Sequence, residues 1–209
     1  MTREEYDAHY ANGLATVDES FARFVATEGP HDAWAALKRR MDWMTDRAKG
    51  PNVLDVGCGS GTLAILAAHR PGIEAVVGID LLRANVSIAA QNWQETGTLG
   101  AATVRFDVGD AERPTFPTAT FDTVFLGEIL EHVWDVDAAL MEAHRVLDDN
   151  GVMVISVPTD QRVTGDHLRT FTLASIIELL TRRGLVIREF KRINHWLCFV
   201  CTGESSDAD

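Results

Sequence analysis

The sequence predicts an α/β fold: a doubly wound, mostly parallel sheet of seven strands with an antiparallel last strand, preceded by a helical cap. Three observations carry that expectation. Residues 53–61 read Val-Leu-Asp-Val-Gly-Cys-Gly-Ser-Gly, a short apolar run that turns through glycines into the amphipathic stretch Leu63–His69. From residue 53 onward, apolar runs of strand length alternate with stretches of helical spacing, the pattern of a parallel sheet with helices on both faces. Leu185–Lys191 and His195–Cys201 are strand-like runs separated by a turn too short for anything but a hairpin.

The elements follow in order. Residues 1–50 form the cap. Tyr6 and Tyr10, four apart, share a helix face. Val17, Phe21 and Phe24 have helical spacing, Gly29-Pro30 breaks the run, and Trp34, Leu37, Met41, Met44 and Ala48 repeat the alternation of a core stripe, with Asp32, Asp42 and Asp46 on a solvated face. The domain proper spans 51–203, and 204–209 is an acidic tail. Strands are expected at 53–56, 74–80, 103–107, 122–127 and 151–157, and helices at 62–69, 82–95, 136–147 and 172–183. Pro158–Phe171 is long and polar for a connection. It leaves the carboxyl-terminal edge of the fifth strand, where open α/β sheets bind ligands, and is expected to help form the pocket.

Strand, glycine turn and helix in this order make the first unit of a Rossmann-like nucleotide-binding fold. Gly57, Gly59 and Gly61 allow a ligand to approach the backbone and allow positive φ. The strand Ala75–Asp80 ends in an acid 19 residues after Gly61, where a carboxylate can accept hydrogen bonds from ribose hydroxyls. The turn reads G-x-G-x-G rather than the dinucleotide pattern G-x-G-x-x-G, and the GK[ST] ending of a P-loop is absent.

Further runs follow: Gly78-Ile79-Asp80, Gly109-Asp110-Ala111, Phe121-Asp122-Thr123-Val124-Phe125 and Arg145-Val146-Leu147-Asp148-Asp149-Asn150-Gly151. With the glycine turn they resemble, in order and spacing over roughly residues 50–200, the class I S-adenosylmethionine-dependent methyltransferases. Asp149-Asn150-Gly151 departs from the common Pro-Gly-Gly, which touches only a turn. The resemblance implies S-adenosyl-L-methionine as cofactor. Gly57 and Gly59 would lie under its methionine part, and Asp55 would orient the first loop and the amino group. Asp80 would hold the ribose, Leu81 would cover an adenine face, and Asp110 with Ala111 would read the adenine edge. Gly127 and Glu128 would flank the transferable methyl. A cap tyrosine, Tyr10, is a candidate contact to the cofactor carboxylate.

The chain has 209 residues and a net charge of −12, which opposes non-specific binding to phosphate backbones. Nucleic acid is therefore not the expected partner. No apolar stretch reaches the ~20 residues of a membrane span, and no secretory signal opens the chain, so no membrane partner and a cytoplasmic location are expected. A homodimer is compatible with the sequence, which does not specify one. Of the three cysteines, Cys198 and Cys201 look like a C-x-x-C metal pair. In a strand, however, i and i+3 point to opposite faces, so they are expected to be two packed thiols. His144 is expected to be a surface or packed residue, and His69 to close a helix.

Methyl transfer from a sulfonium needs alignment and a competent nucleophile. A hydroxyl acceptor must lose its proton to a base or to a metal that acidifies it. After the fourth strand the chain reads Gly127-Glu128-Ile129-Leu130-Glu131-His132, placing Glu128, Glu131 and His132 at i, i+3 and i+4, and His167 lies in the pocket loop. Two carboxylates and two imidazoles make a divalent-cation site, for Mg²⁺ or Mn²⁺. This set resembles the Glu-x-x-Glu-His site of small-RNA 3′-terminal 2′-O-methyltransferases and the motif of ubiquinone-pathway O-methyltransferases. The expected function is metal-assisted O-methylation of a small molecule, a sugar, polyol or catechol-like ring. The alternatives are metal-free O- or N-methylation with His132 or His167 as base, methylation of an RNA 3′ end, and a cofactor-binding subunit without catalysis. Arg162 and Arg169 would bind an anionic acceptor or form surface salt bridges.

Overall fold

The computed structural model describes residues 2–12, 33–96, 102–159 and 167–204. Seven strands form one sheet in the order β3-β2-β1-β4-β5-β7-β6. They are β1 Asn52–Val56, β2 Ala75–Asp80, β3 Thr103–Val108, β4 Phe121–Gly127, β5 Leu147–Pro158, β6 Leu185–Ile193 and β7 Trp196–Gly203. All neighbours are parallel except β7, which runs antiparallel to both β5 and β6. The chain starts at the centre, moves outward through β2 and β3, then returns to β4 on the other side of β1. That reversal opens a crevice beyond the strand ends, where this architecture binds ligands.

Six helices accompany the sheet among the described residues: α1 Arg3–Asn12, α2 Ala33–Thr45, α3 Thr62–Ala68, α4 Arg83–Thr96, α5 Val136–Val146 and α6 Leu173–Arg182. Side-chain alternation along the strands splits the core in two. Leu54, Val124, Leu126, Met153, Ile155 and Phe199 pack with Leu140 of α5 and Ile176, Leu179 and Leu180 of α6. Val53, Phe125, Val152, Val154 and Val200 pack with Ala36 and Met44 of α2 and Leu63, Ala64 and Ala67 of α3. Cys201 belongs to the first layer and Cys198 to the second. Both are free thiols, and burial pushes each up to about 12. They are packed thiols on opposite faces, as the strand period predicts.

Two expectations need adjustment. The turn at Asp148–Gly151 is a bulge within β5: Phe121 pairs with Leu147, and the next pair is Thr123 with Val152. The Asn150 N–H bonds back to Asp148 Oδ1 at 2.9 Å, so the polar residues make a local kink without ending the strand. The core stripe of α2 is interrupted by a cation. Met44 is fully buried, with Leu37, Met41 and Ala48 half-buried around it, but Arg40 is buried among them. The expected helix around Val17, Phe21 and Phe24, the Gly29-Pro30 break, the Trp34 side chain, Arg162 with most of the Pro158–Phe171 loop, and the tail beyond Glu204 lie outside the described residues. No described helix is long and apolar enough to cross a membrane.

Candidate functional site

The β1–α3 turn is held mainly by backbone groups. Gly57 N and Cys58 N both donate to Ile79 O, at 2.8 and 2.9 Å. Gly57, Gly59 and Gly61 all have positive φ, 71°, 52° and 80°. Only Gly59 faces open space. A Cβ on Gly57 would come within 2.5 Å of Ile129, and one on Gly61 within 2.8 Å of Ala89. Only at Gly59 is the backbone open to a ligand, while the other two let neighbouring elements close on the turn.

Asp80 ties this turn to the next unit. Its Oδ2 accepts from Gly59 N at 2.9 Å, and its Oδ1 accepts from Leu82 N at 2.9 Å and Asn85 Nδ2 at 3.1 Å. A carboxylate has about four acceptor directions, so one remains for a ribose hydroxyl without exchange of partners. Asp55 is buried and accepts from Ala64 N at 3.1 Å in the first turn of α3. Burial pushes its carboxyl up to about 7; nearby Asp80 adds to the rise, and the Ala64 N–H and Arg40 oppose it. Leu81, 38% exposed, presents an aliphatic surface beside Asp80. Across the edge Asp110 Oδ1 accepts from Glu112 N at 2.9 Å, and Ala111 packs on the core. Gly127 ends β4 next to Leu63. Tyr10 lies in α1, but its side chain is outside the described set.

The edge beyond the end of β4, where the sequence places the acceptor, differs from the four-ligand expectation in one respect. Glu131, His132 and His167 come together, with ligand atoms all within 4.8 Å of one another, and the imidazole centroids are 4.8 Å apart at 84°. Glu128 is not in this group. It has a φ of 56°, its carboxylate accepts from Trp196 Nε1, and its Oε1 lies 3.4 Å from Arg40 Nη1. The physical reason is Arg40. A buried guanidinium needs an anion close by, and this one also donates to Ser156 Oγ at 3.0 Å and stacks 4.7 Å over the Trp196 ring. The left-handed backbone of Glu128 turns the side chain toward that cation.

Residues 129–133 form a tight turn rather than a helix, closed by His132 N and Val133 N on Ile129 O. Glu131 is 1% exposed, and its carbonyl accepts from Leu168 N at 2.9 Å, which brings His167 alongside. Arg169 donates to the carbonyls of Leu130, Val133 and Trp134 at 2.7, 2.5 and 2.8 Å. Burial lowers its pKa from the ordinary guanidinium value. Its Nη atoms serve these three carbonyls, so it clamps the turn that carries Glu131 and His132. Sequence reasoning missed this role, and missed Arg40, although a cation three residues after Leu37 and four before Met44 stands in register with the apolar stripe. His144 packs against Gly203, away from this edge.

Residues 54–155 match a methyltransferase domain family. The ubiquinone biosynthesis O-methyltransferase of Pseudomonas paraeruginosa is 34% identical over 156 residues, covering 73% of this chain and 64% of that protein. The enzyme of the same description from Azorhizobium caulinodans is 35% identical over 108 residues, 52% of this chain and 40% of that protein. The chain thus spans about two fifths to two thirds of the length of these relatives. Among solved structures, magnesium protoporphyrin IX methyltransferase from Synechocystis PCC 6803, with bound SAH, superposes with a TM-score of 0.70 at 17% identity over 97% of this chain and 100% of that one, a likeness of fold.

Proposed function

This chain carries a class I S-adenosylmethionine-dependent methyltransferase domain, and from that premise we propose that it methylates a hydroxyl of a small molecule with a divalent cation at Glu131, His132 and His167. The observation that carries the reading is that constellation itself, placed just beyond Gly127 where β4 ends at the crevice. The similarity to proteins named as ubiquinone biosynthesis O-methyltransferases supports a hydroxyl acceptor, and a cation would suit one with adjacent oxygens, a sugar, polyol or catechol-like ring.

The donor set fits a cation. One carboxylate and two imidazoles, mostly shielded from solvent, are ligands for a first-row divalent ion. With Glu128 engaged elsewhere the set is richer in nitrogen than the sequence suggested, which favours Mn²⁺ or Zn²⁺ over the oxygen-seeking Mg²⁺. A bound cation would acidify a coordinated hydroxyl. The chain's own groups do the rest. Gly59 leaves room for the cofactor against the backbone, Asp80 anchors its ribose, and Arg169 holds the Glu131–His132 turn at fixed distance from the end of β4. The acceptor oxygen forms its bond to the methyl carbon as the carbon–sulfur bond breaks, leaving S-adenosylhomocysteine. The hydroxyl proton leaves to solvent at the crevice, because imidazoles that hold the cation have no lone pair left to take it; only without a cation would His132 or His167 serve as the base.

The test is transfer of labelled methyl from S-adenosylmethionine to a panel of catechols, polyols and amines, before and after dialysis against EDTA. The proposal expects labelled catechol or polyol ethers, loss of turnover on chelation and recovery with Mn²⁺. Labelling of amines alone would overturn the acceptor class. Full turnover in EDTA would remove the metal and leave a histidine base.

A further inference from the structure

Glu112 belongs to no motif used above, yet three parts of the molecule meet at its side chain and backbone. The residue is 7% exposed. Its Oε2 accepts from Arg3 Nη1 of α1 at 2.6 Å, and its Oε1 accepts from the Asp135 N–H at 3.0 Å, at the start of α5 and just past the Glu131–His132 turn. Its own N–H donates to Asp110 Oδ1 at 2.9 Å. Both carboxylate oxygens of one buried residue are thus divided between the cap helix and the acceptor-edge turn.

The cap helix is built to be held there. Thr2 and Glu5 cap its amino terminus reciprocally, with Glu5 N on Thr2 Oγ1 at 3.2 Å and Thr2 N on Glu5 Oε2 at 2.7 Å. Arg3 Nη2 lies 4.0 Å from Asp110 Oδ2, and the Arg3 guanidinium lies 5.4 Å from the Tyr6 ring centroid. Tyr6 is buried and meets the Trp134 ring at 5.8 Å. The Trp134 carbonyl in turn accepts from Arg169. A continuous set of contacts therefore runs from α1 through Glu112 and Trp134 to the turn that carries Glu131 and His132.

We propose that Glu112 is a positioning residue that couples docking of α1 to cofactor binding at the Asp110 edge and to the conformation of the 130–135 turn. The coupling rests on the reading that Asp110 and Ala111 border the adenine. A cofactor that orders residues 110–112 fixes the Glu112 carboxylate. A fixed carboxylate holds Arg3, and with it α1, over the edge, while its other oxygen keeps Asp135 and the preceding turn in place. Cofactor binding thereby closes the cap and readies the acceptor edge in one event.

The experiment uses the full chain and S-adenosylhomocysteine, with hydrogen exchange followed at residues 3–12 and 130–135 and affinity measured by calorimetry. In the unaltered protein the ligand slows exchange in both segments together. Arg3→Ala, a change on a partly exposed helix position, abolishes the slowing in α1, weakens the ligand about tenfold and leaves the thermal midpoint near its starting value. Glu112→Gln keeps an oxygen for the Asp135 N–H but loses the charge that holds Arg3. It reproduces the Arg3→Ala result, and the double variant is no worse than either single one. If Glu112→Gln fails to fold, Arg3→Ala decides alone. Unchanged affinity and unchanged α1 protection in Arg3→Ala, or effects that add in the double variant, overturn the coupling. Asp80→Ala is run alongside: if it loses the ligand while Arg3→Ala does not, the coupling alone falls. If neither weakens binding, the cofactor edge is misplaced and the coupling falls with it.

Discussion

The two edges of the crevice are built in opposite ways. The cofactor edge is assembled from groups close in sequence, or from adjacent strand ends joined by backbone hydrogen bonds: Gly57 and Cys58 on Ile79, Asp80 on Gly59 and Leu82, Asp55 on Ala64. The acceptor edge is assembled from distant side chains: Arg40 of α2, Glu128 after β4, Ser156 of β5, Trp196 of β7, and Arg169 reaching back to residues 130–134. A backbone-built site tolerates little variation and keeps a fixed ligand. A side-chain-built site can be remodelled piecewise without disturbing the sheet. The comparison predicts that damage at the acceptor edge spreads through long-range contacts, whereas damage at the cofactor edge stays local and shows in ligand affinity.

The largest expected effect breaks the acceptor edge. Arg40→Leu strands the Glu128 carboxylate beside an apolar side chain, and removing one partner of a buried pair costs about 3–5 kcal/mol. Glu128 is about a third exposed at its side chain, which places the loss at the low end of that range. Chemical denaturation of Arg40→Leu and of Arg40→Leu with Glu128→Gln measures it. The second change should recover part of the loss. Equal stability of Arg40→Leu and the parent would show that the pair does not hold the edge together.

Next comes the cofactor edge. Asp80→Ala removes the carboxylate that fixes Gly59 N and, on the proposed reading, anchors the ribose, so cofactor affinity should fall by about tenfold or more, from one charge-assisted bond at about 1.5 kcal/mol or more. Calorimetry with S-adenosylhomocysteine on a folded variant is the measurement, and wild-type affinity would refute the assignment. A smaller effect sharpens the contrast. Arg169→Lys gathers its donors on one nitrogen and loses the planar fork that spans the Leu130, Val133 and Trp134 carbonyls from two, and loosening groups that orient metal ligands weakens a metal by about tenfold to a hundredfold. Mn²⁺ affinity should fall within the lower part of that range, and S-adenosylhomocysteine affinity should fall by less. Equal Mn²⁺ affinity would free the turn from its clamp.

The same contrast explains what the sequence disclosed. Val53–Val56, Ala75–Asp80 and the β6–β7 hairpin were legible because strand period and turn chemistry are local, and Cys198 and Cys201 fell on opposite faces for the same reason. The turn after β1 was legible because Gly57, Gly59, Gly61 and Asp80 sit at fixed offsets, and the glycines' positive φ and the Asp80–Gly59 bond follow from that spacing. The acceptor edge was legible only in its local part: Glu131 and His132 are neighbours, and His167 came from a motif. That Glu128 turns away was hidden because its partners, Arg40 and Trp196, lie 88 residues before it and 68 after it. Arg169 and Glu112 were hidden too, since their partners are backbone groups or a cap helix that no spacing reveals. The bulge in β5 looked like a turn because Asp148, Asn150 and Gly151 have turn chemistry whether or not the strand continues.

The smallest effect near neutral pH belongs to Asp55, and its sign follows from burial. Burial raises the carboxyl from 3.8 to about 7 in the folded protein, while the unfolded chain loses the proton near the ordinary value. Between those limits the folded state holds a proton that the unfolded state has released. This group's contribution to stability is therefore fully present below about pH 4 and declines as pH rises, by up to about 1.4 kcal/mol per unit, until it is lost above about 7. A cofactor ammonium beside Asp55 favours the ionised form, so affinity should move the other way, rising with pH as the carboxyl ionises. With the apparent value near 7, S-adenosylhomocysteine should bind about twofold tighter at pH 8 than at pH 7 and about fivefold weaker at pH 6. Asp55→Asn should bind weakly at every pH and lack this slope, and the difference between the two profiles cancels any titration of the ligand itself. Parallel profiles in the two proteins would separate Asp55 from the amino group and leave it only the Ala64 bond that fixes the start of α3.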